Sequence, residues 1–239
     1  MSEPRRPADL LALVGAKLTR LPRRVVFIGG ATTELFITDP AAPEVRATMD
    51  VDVIVQAKTY AEYMSDVARE LHDLGAHEDP SEGAPLCRWV LDGVFVDVMA
   101  PNARVLGFTN RWYAAALDRP EGRTLPDGTV IHVTTGPLFL ATKIEAFRGR
   151  GGGDYRASRD MEDIVAVLDG RPEVTAEVAA ADEDLRAFLR EAFAEWLEHR
   201  DFLGALPGHL PGDAGSQARA DVILERIIAI ARDPDERVG

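Results

Sequence analysis

The segment Thr48-Met49-Asp50-Val51-Asp52-Val53-Ile54-Val55 sets two carboxylates two residues apart in an otherwise apolar, β-branched run. Strand geometry turns Asp50 and Asp52 to one face and Val51, Val53 and Val55 to the other. A run this apolar belongs inside a sheet, and two ionised carboxylates held there are costly unless something positive lies between them. Magnesium meets that need, being a hard cation that takes oxygen ligands, usually a few carboxylates together with phosphates. The competing reading is an edge strand with its polar face in water.

Three further features favour the metal reading. Phe27-Ile28-Gly29-Gly30-Ala31-Thr32 reads as a strand, a two-glycine turn and a helix start. Glycine there lets backbone N–H groups approach an anion, and Thr32 or Thr33 adds a hydroxyl that reaches phosphate. Val94-Phe95-Val96-Asp97-Val98-Met99 is a second apolar strand with one carboxylate. Asp97 there completes a metal site or takes the proton of an attacking hydroxyl. Lys143 sits in a helical stretch, and Arg148, Arg150, Arg156 and Arg159 follow around Gly149, Gly151, Gly152 and Gly153. A glycine-rich loop flanked by cations suits a triphosphate or a nucleic-acid backbone.

The rest of the chain supplies alternating helices and strands. Helices are expected over residues 8–21, 31–37, 60–74, 137–147, 158–168, 182–197 and 221–231, from apolar residues at helical spacing and from capping signals such as Ser158. Strands are expected over 25–28, 51–55, 86–91, 94–99 and 130–133. Asp92-Gly93 between two β-rich runs marks a two-residue hairpin. The fold class is therefore α+β, a mixed sheet flanked by helices, with a helical C-terminal extension. The division expected is 1–170 for the site-bearing domain and 171–239 for the helical region.

Charge and composition limit the alternatives. The chain of 239 residues carries 27 basic and 40 acidic side chains, a formal net charge of −13. That balance argues against general nucleic-acid binding, which is built from Lys and Arg. It is uneven, however. Residues 1–24 hold six basic against two acidic side chains, whereas residues 171–239 hold eight basic and 15 acidic ones. One cysteine, Cys87, excludes a disulfide framework and a cysteine zinc site. No segment approaches the roughly 18 apolar residues of a membrane span, and the N-terminus lacks the apolar core of a secretory signal, so a cytoplasmic protein without membrane attachment is expected.

A Gly-Gly turn after a strand, an Asp-x-Asp on the next strand and a third Asp on a later one resemble the polymerase-β-like nucleotidyltransferase superfamily. More narrowly, Gly29-Gly30, Arg46-Ala47-Thr48-Met49-Asp50-Val51-Asp52, Lys143 in a helix, and Arg159-Asp160 with Asp163 resemble the AbiEii/AbiGii (MenT-like) toxin nucleotidyltransferases over roughly residues 25–170. The resemblance implies a minimal nucleotidyltransferase fold. It implies Asp50, Asp52 and Asp97 as ligands of two Mg2+ ions, with Asp97 also the base. Gly29, Gly30, Thr32, Thr48 and Lys143 would hold the nucleotide of an NTP, and Asp160 would orient the catalytic groups. Here Ala31-Thr32 follows the glycines, where the family pattern has a serine directly after glycine.

The same resemblance implies tRNA as acceptor, modified at its 3′ end, and a cognate antitoxin as partner, and Arg148, Arg150, Arg156 and Arg159 of the basic stretch are the expected contacts to the acceptor. Two other readings stay open. One is nucleotide transfer to a small hydroxylated molecule of the aminoglycoside type. The other is a non-catalytic nucleotide-binding module, against which the three carboxylates weigh. Trp196 and Phe193 read as helix core, Cys87 as a small buried hydrophobe, and Asn110-Arg111-Trp112-Tyr113 as packing rather than a base-stacking platform.

Overall fold

In this computed structural model the described residues are 6–150 and 153–232, with the side chain of Arg150 excepted. Gly151 and Gly152 of the expected phosphate loop, and the Arg150 side chain, lie outside them. The chain divides into two compact units, Met1–Glu34 with Arg46–Thr135, and Leu35–Val45 with Gly136–Gly239. The boundary expected at residue 170 falls inside the second unit.

The first unit holds all seven strands found among the described residues, in one mixed sheet. They are β1 (Val25–Ile28), β2 (Asp50–Val55), β3 (His77–Glu78), β4 (Arg88–Leu91), β5 (Val94–Met99), β6 (Glu121–Thr124) and β7 (Val130–Val133). Their order is β3-β4-β5-β2-β1-β7-β6. β2 is thus interior, as its valines and isoleucine require, antiparallel to β1 and parallel to β5. β3 and β6 were not expected from the sequence. β3 is two exposed residues and β6 is Glu-Gly-Arg-Thr, neither with an apolar signal. Both are edges, where charge and short length guard against unwanted pairing.

Helices cover both faces of this sheet. α1 (Pro7–Leu18) packs against β7, β2 and β5 through Leu10, Leu11, Val14 and Leu18, all buried. Gly15 passes so close to Ile131 and Leu125 that an added methyl would touch both at 3.2 and 3.3 Å. The helix expected over 60–74 forms as α2 (Tyr60–Glu62), a π-helical turn (Tyr63–Val67) and α3 (Ala68–Asp73). Tyr63 is buried and donates its hydroxyl to the carbonyl of Val98 at 2.8 Å, tying this helix to β5. On the opposite face Val26, Ile28 and Ile54 join Ala116 and Leu117 of α5 (Tyr113–Asp118), which follows a single turn, α4 (Ala103–Leu106).

The second unit is helical: α6 (Gly136–Arg150), α7 (Arg159–Gly170), α8 (Val174–Ala179), α9 (Glu183–Glu198), α10 (Arg200–Ala205) and α11 (Ala214–Ala231). Ser158 caps α7, accepting from the Met161 amide. Trp196, Phe193, Phe147, Tyr155 and Phe202 form one aromatic cluster with centroid separations of 5.0–6.1 Å. Residues 204–217, between the helices expected over 182–197 and 221–231, contain the end of α10, a 3₁₀ turn (Leu206–His209) and the start of α11. Asp213 accepts from the Ser216 amide, so the last helix begins seven residues earlier than its apolar spacing indicates. Arg219 and Arg226 close the C-terminal end of α7, reaching Asp169 and the carbonyls of Leu168 and Asp169. Among the described residues no helix is long and apolar enough to cross a membrane.

Candidate active site

Strand register assembles the acidic cluster of the first unit. Asp52 of β2 stands directly beside Asp97 of the parallel strand β5, and Asp50 lies two residues along on the same face, beside Phe95. The carboxylates expected to act together are therefore neighbours. Asp50 and Asp52 are half-buried, and Asp97 is buried. Thr48, also buried, donates its hydroxyl to Asp50 at 3.2 Å. This contact with a carboxylate fixes the approach to β2.

Across the antiparallel pair β1–β2, Asp52 faces Ile28, and the turn at Gly29 closes over it. Gly29 has φ +75, and a methyl group there would fall on the Asp52 carboxylate. Only glycine meets both conditions, the left-handed backbone and the close approach. Thr32 is fully buried and donates its hydroxyl to the Gly29 carbonyl at 2.9 Å, bracing the turn from below. Gly30 begins the 3₁₀ helix (Gly30–Phe36) that occupies most of the helix expected over 31–37. Gly29→Ala is expected to cost about 1–2 kcal/mol of stability through backbone strain. It should also displace Asp52 and lower any carboxylate-dependent rate about 100-fold. Equilibrium unfolding and initial rates on the same preparation check both.

Sequence reasoning missed Arg88. It lies on β4 directly opposite Asp97. Its Nε and one terminal nitrogen donate to the two Asp97 oxygens at 2.8 and 2.7 Å, and the same terminal nitrogen reaches Asp50 at 3.4 Å. The guanidinium stands 5.3 Å from the Phe95 ring centroid. The hydrogen-bonded carboxylate of Asp97 holds the Arg88 guanidinium above its ordinary pKa, against the opposing effect of burial. A signal was present. A two-residue hairpin at Asp92-Gly93, both with positive φ, pairs Leu91 with Val94, and counting back three pairs reaches Arg88 and Asp97. Cys87, next to Arg88, is buried as expected, and burial pushes its thiol up to about 12, with Asp97 and Asp52 adding to the rise. It stays protonated and unreactive at neutral pH.

Three carboxylates and one guanidinium leave a formal surplus of two negative charges in this set of four side chains. The donors are oxygen, and a carboxylate that accepts two N–H groups keeps further lone pairs. The chemistry of the set fits a divalent magnesium ion. Among the described residues no three His, Cys, Asp or Glu side chains converge ready-made on a metal position. The Arg88 guanidinium occupies the place where Asp97 and Asp50 approach one another.

The second unit brings Lys143 and Asp160 together, with Asp163 as a third member. The Lys143 amine lies 3.2 Å from Asp160 and 2.6 Å from Asp163, and all three side chains are under a tenth exposed. α6 supplies the lysine and the first turns of α7 supply the acids, where the helix N-terminus also favours negative charge. Arg148 pairs with Glu195 at 2.6 Å and lies over the Phe188 ring. Arg156 and Arg159 are exposed, on either side of Ser158. Trp112 is buried and its amide donates to Asn110, in keeping with a packing role.

No family model matches the chain, and no curated protein matches it. Solved structures similar to it include an antigenic nucleotidyltransferase-like protein from Paracoccidioides brasiliensis, at 17% identity and a TM-score of 0.49, covering 85% of this chain and 93% of that one. The antibiotic-resistance factor ANT(2'')-Ia is similar at 12% identity and a TM-score of 0.46, covering 80% and 95%. JHP933 from Helicobacter pylori is similar at 11% identity and a TM-score of 0.49, covering 99% and 96%.

Proposed function

We propose that this chain is a magnesium-dependent nucleotidyltransferase that moves a nucleotide from an NTP to an acceptor hydroxyl. The observation that carries the reading is the side-by-side placement of Asp50, Asp52 and Asp97 on two interior strands, with the Gly29 turn closed against Asp52. Asp50, Asp52 and Asp97 would hold the metal, one or two ions. When bound, the metal neutralises the triphosphate and the charge that builds on the departing pyrophosphate. The acceptor oxygen attacks the α-phosphorus, the bond to the pyrophosphate oxygen breaks in line, and the acceptor proton passes to Asp97. The amides around Gly29 and Gly30 would meet the phosphates. Lys143, with Asp160 and Asp163, is assigned a positioning role in the second unit.

For the acceptor we propose the 3′ end of tRNA, with the exposed Arg156 and Arg159 as backbone contacts. A toxin role in the cytoplasm with a cognate antitoxin is the setting this implies. The surplus negative charge of the cluster favours a second acceptor class, a cationic aminoglycoside. Purified protein is incubated with Mg2+, four α-labelled nucleoside triphosphates and total tRNA, then with aminoglycosides. Label entering tRNA, abolished by EDTA, is expected. Label entering only the aminoglycoside replaces the acceptor, and label entering neither overturns the reading.

A further inference from the structure

We propose that Arg88 is a built-in counter-ion that competes with a divalent cation for Asp97 and Asp50, so that it sets the affinity of the acidic cluster for metal. The inference rests on the metal reading above. Its basis is geometric. Arg88 takes both Asp97 oxygens in a two-pronged grip at 2.8 and 2.7 Å and leans on Asp50 at 3.4 Å. Cross-strand pairing of Arg88 with Asp97 places the guanidinium on the same face as the three carboxylates, and the Phe95 ring lies beneath it. An arginine fork matches a carboxylate in this way and keeps its charge at any physiological pH.

Two consequences follow. Without metal, the guanidinium neutralises part of a cluster whose like charges repel one another, and it fixes the rotamer of Asp97. A divalent ion arriving at the same carboxylates meets a fixed positive charge a few ångströms away. It must either share Asp97 with Arg88 or displace it. Arg88 is thus a positioning residue acting through Asp97, and it weakens the hold on the metal. Weak holding suits a site whose ion arrives and leaves with a triphosphate and a pyrophosphate, both of which carry their own ligands.

The test is isothermal titration of Mn2+ alone into the full chain and into Arg88→Gln, Arg88→Met and Arg88→Lys. Arg88 is a quarter exposed but its partner Asp97 is buried, so each neutral variant is first checked for folding by circular dichroism, and either one suffices if the other does not fold. Removing one charge from beside a bound dication is expected to tighten Mn2+ binding about tenfold or more in both neutral variants. Arg88→Lys, which keeps the charge, stays within about threefold of the parent. Neutral variants that bind Mn2+ as weakly as the parent, or more weakly, overturn the proposal while leaving the metal reading in place. Equal tightening in Arg88→Lys also overturns it, since charge would then not be the cause. If neither the parent nor a folded neutral variant binds Mn2+, the metal reading fails and this inference falls with it.

Discussion

Asp52→Asn is expected to lower nucleotide transfer about 10³-fold or more, while the stability of the first unit changes by no more than about 1 kcal/mol. Asparagine has nearly the same shape as aspartate, so it fits beneath Gly29 and keeps the β2 register that pairs residue 52 with Ile28 and Asp97. What disappears is one negative charge from a set of three carboxylates. On the proposed reading a metal ion would lose a ligand, and with it part of the positive charge set against the departing pyrophosphate. A thousandfold loss corresponds to about 4 kcal/mol of transition-state stabilisation, within the range that one preorganised electrostatic contact supplies. Asp50→Asn should lose activity comparably, but it also weakens the contacts from Thr48 and Arg88. Its stability should therefore fall further than that of Asp52→Asn. Initial rates with labelled triphosphate and chemical denaturation on both variants check the pattern. Transfer by Asp52→Asn within tenfold of the parent would remove the catalytic assignment of this cluster.

The acidic cluster was legible because its parts obey short-range rules. Alternation in β2 put Asp50 and Asp52 on one face, and two glycines after a strand announced a turn. Asp97 was legible as a carboxylate in an apolar strand, although its partner was not. The parallel pairing of β2 with β5 that sets Asp52 beside Asp97 joins residues 45 positions apart, and no local pattern fixes such a register. Arg88 falls between these cases. The hairpin at Asp92-Gly93 determines its place opposite Asp97, so the grip could be found by counting along two strands rather than by inspecting either. The start of α11 was hidden for another reason. Gly212 and Gly215 look like loop, and only the hydrogen bond from Ser216 to Asp213 shows that the helix has begun. Lys143 was legible as a helical lysine beside a basic, glycine-rich stretch, and Asp160 and Asp163 through the resemblance, whereas their contacts come from the packing of α6 on α7, which sets the amine 3.2 Å from Asp160 and 2.6 Å from Asp163.

That second cluster carries the other large expected effect. Lys143→Met should destabilise the second unit by about 3–5 kcal/mol, because it removes an ammonium group held 3.2 and 2.6 Å from two buried carboxylates. Asp163 is 1% exposed and Asp160 6%, so water cannot replace the lost ammonium group without opening the α6–α7 packing. The surface pair Arg148–Glu195 is the internal contrast. Its partners are 36% and 57% exposed, and Arg148→Met should cost less than about 1 kcal/mol. Hydrogen exchange followed on peptides from α6 and α7 separates the two, since exchange there should speed up about 100- to 1000-fold in Lys143→Met and hardly at all in Arg148→Met. Adding Asp163→Asn to Lys143→Met removes the more deeply buried of the two carboxylate charges. The double variant is therefore expected to be more stable than Lys143→Met alone, a reversal that mere loss of lysine packing would not produce. If the double variant is instead less stable than either single one, the amine is held by shape rather than by charge. The assignment of Lys143, Asp160 and Asp163 as one electrostatic unit would then be wrong.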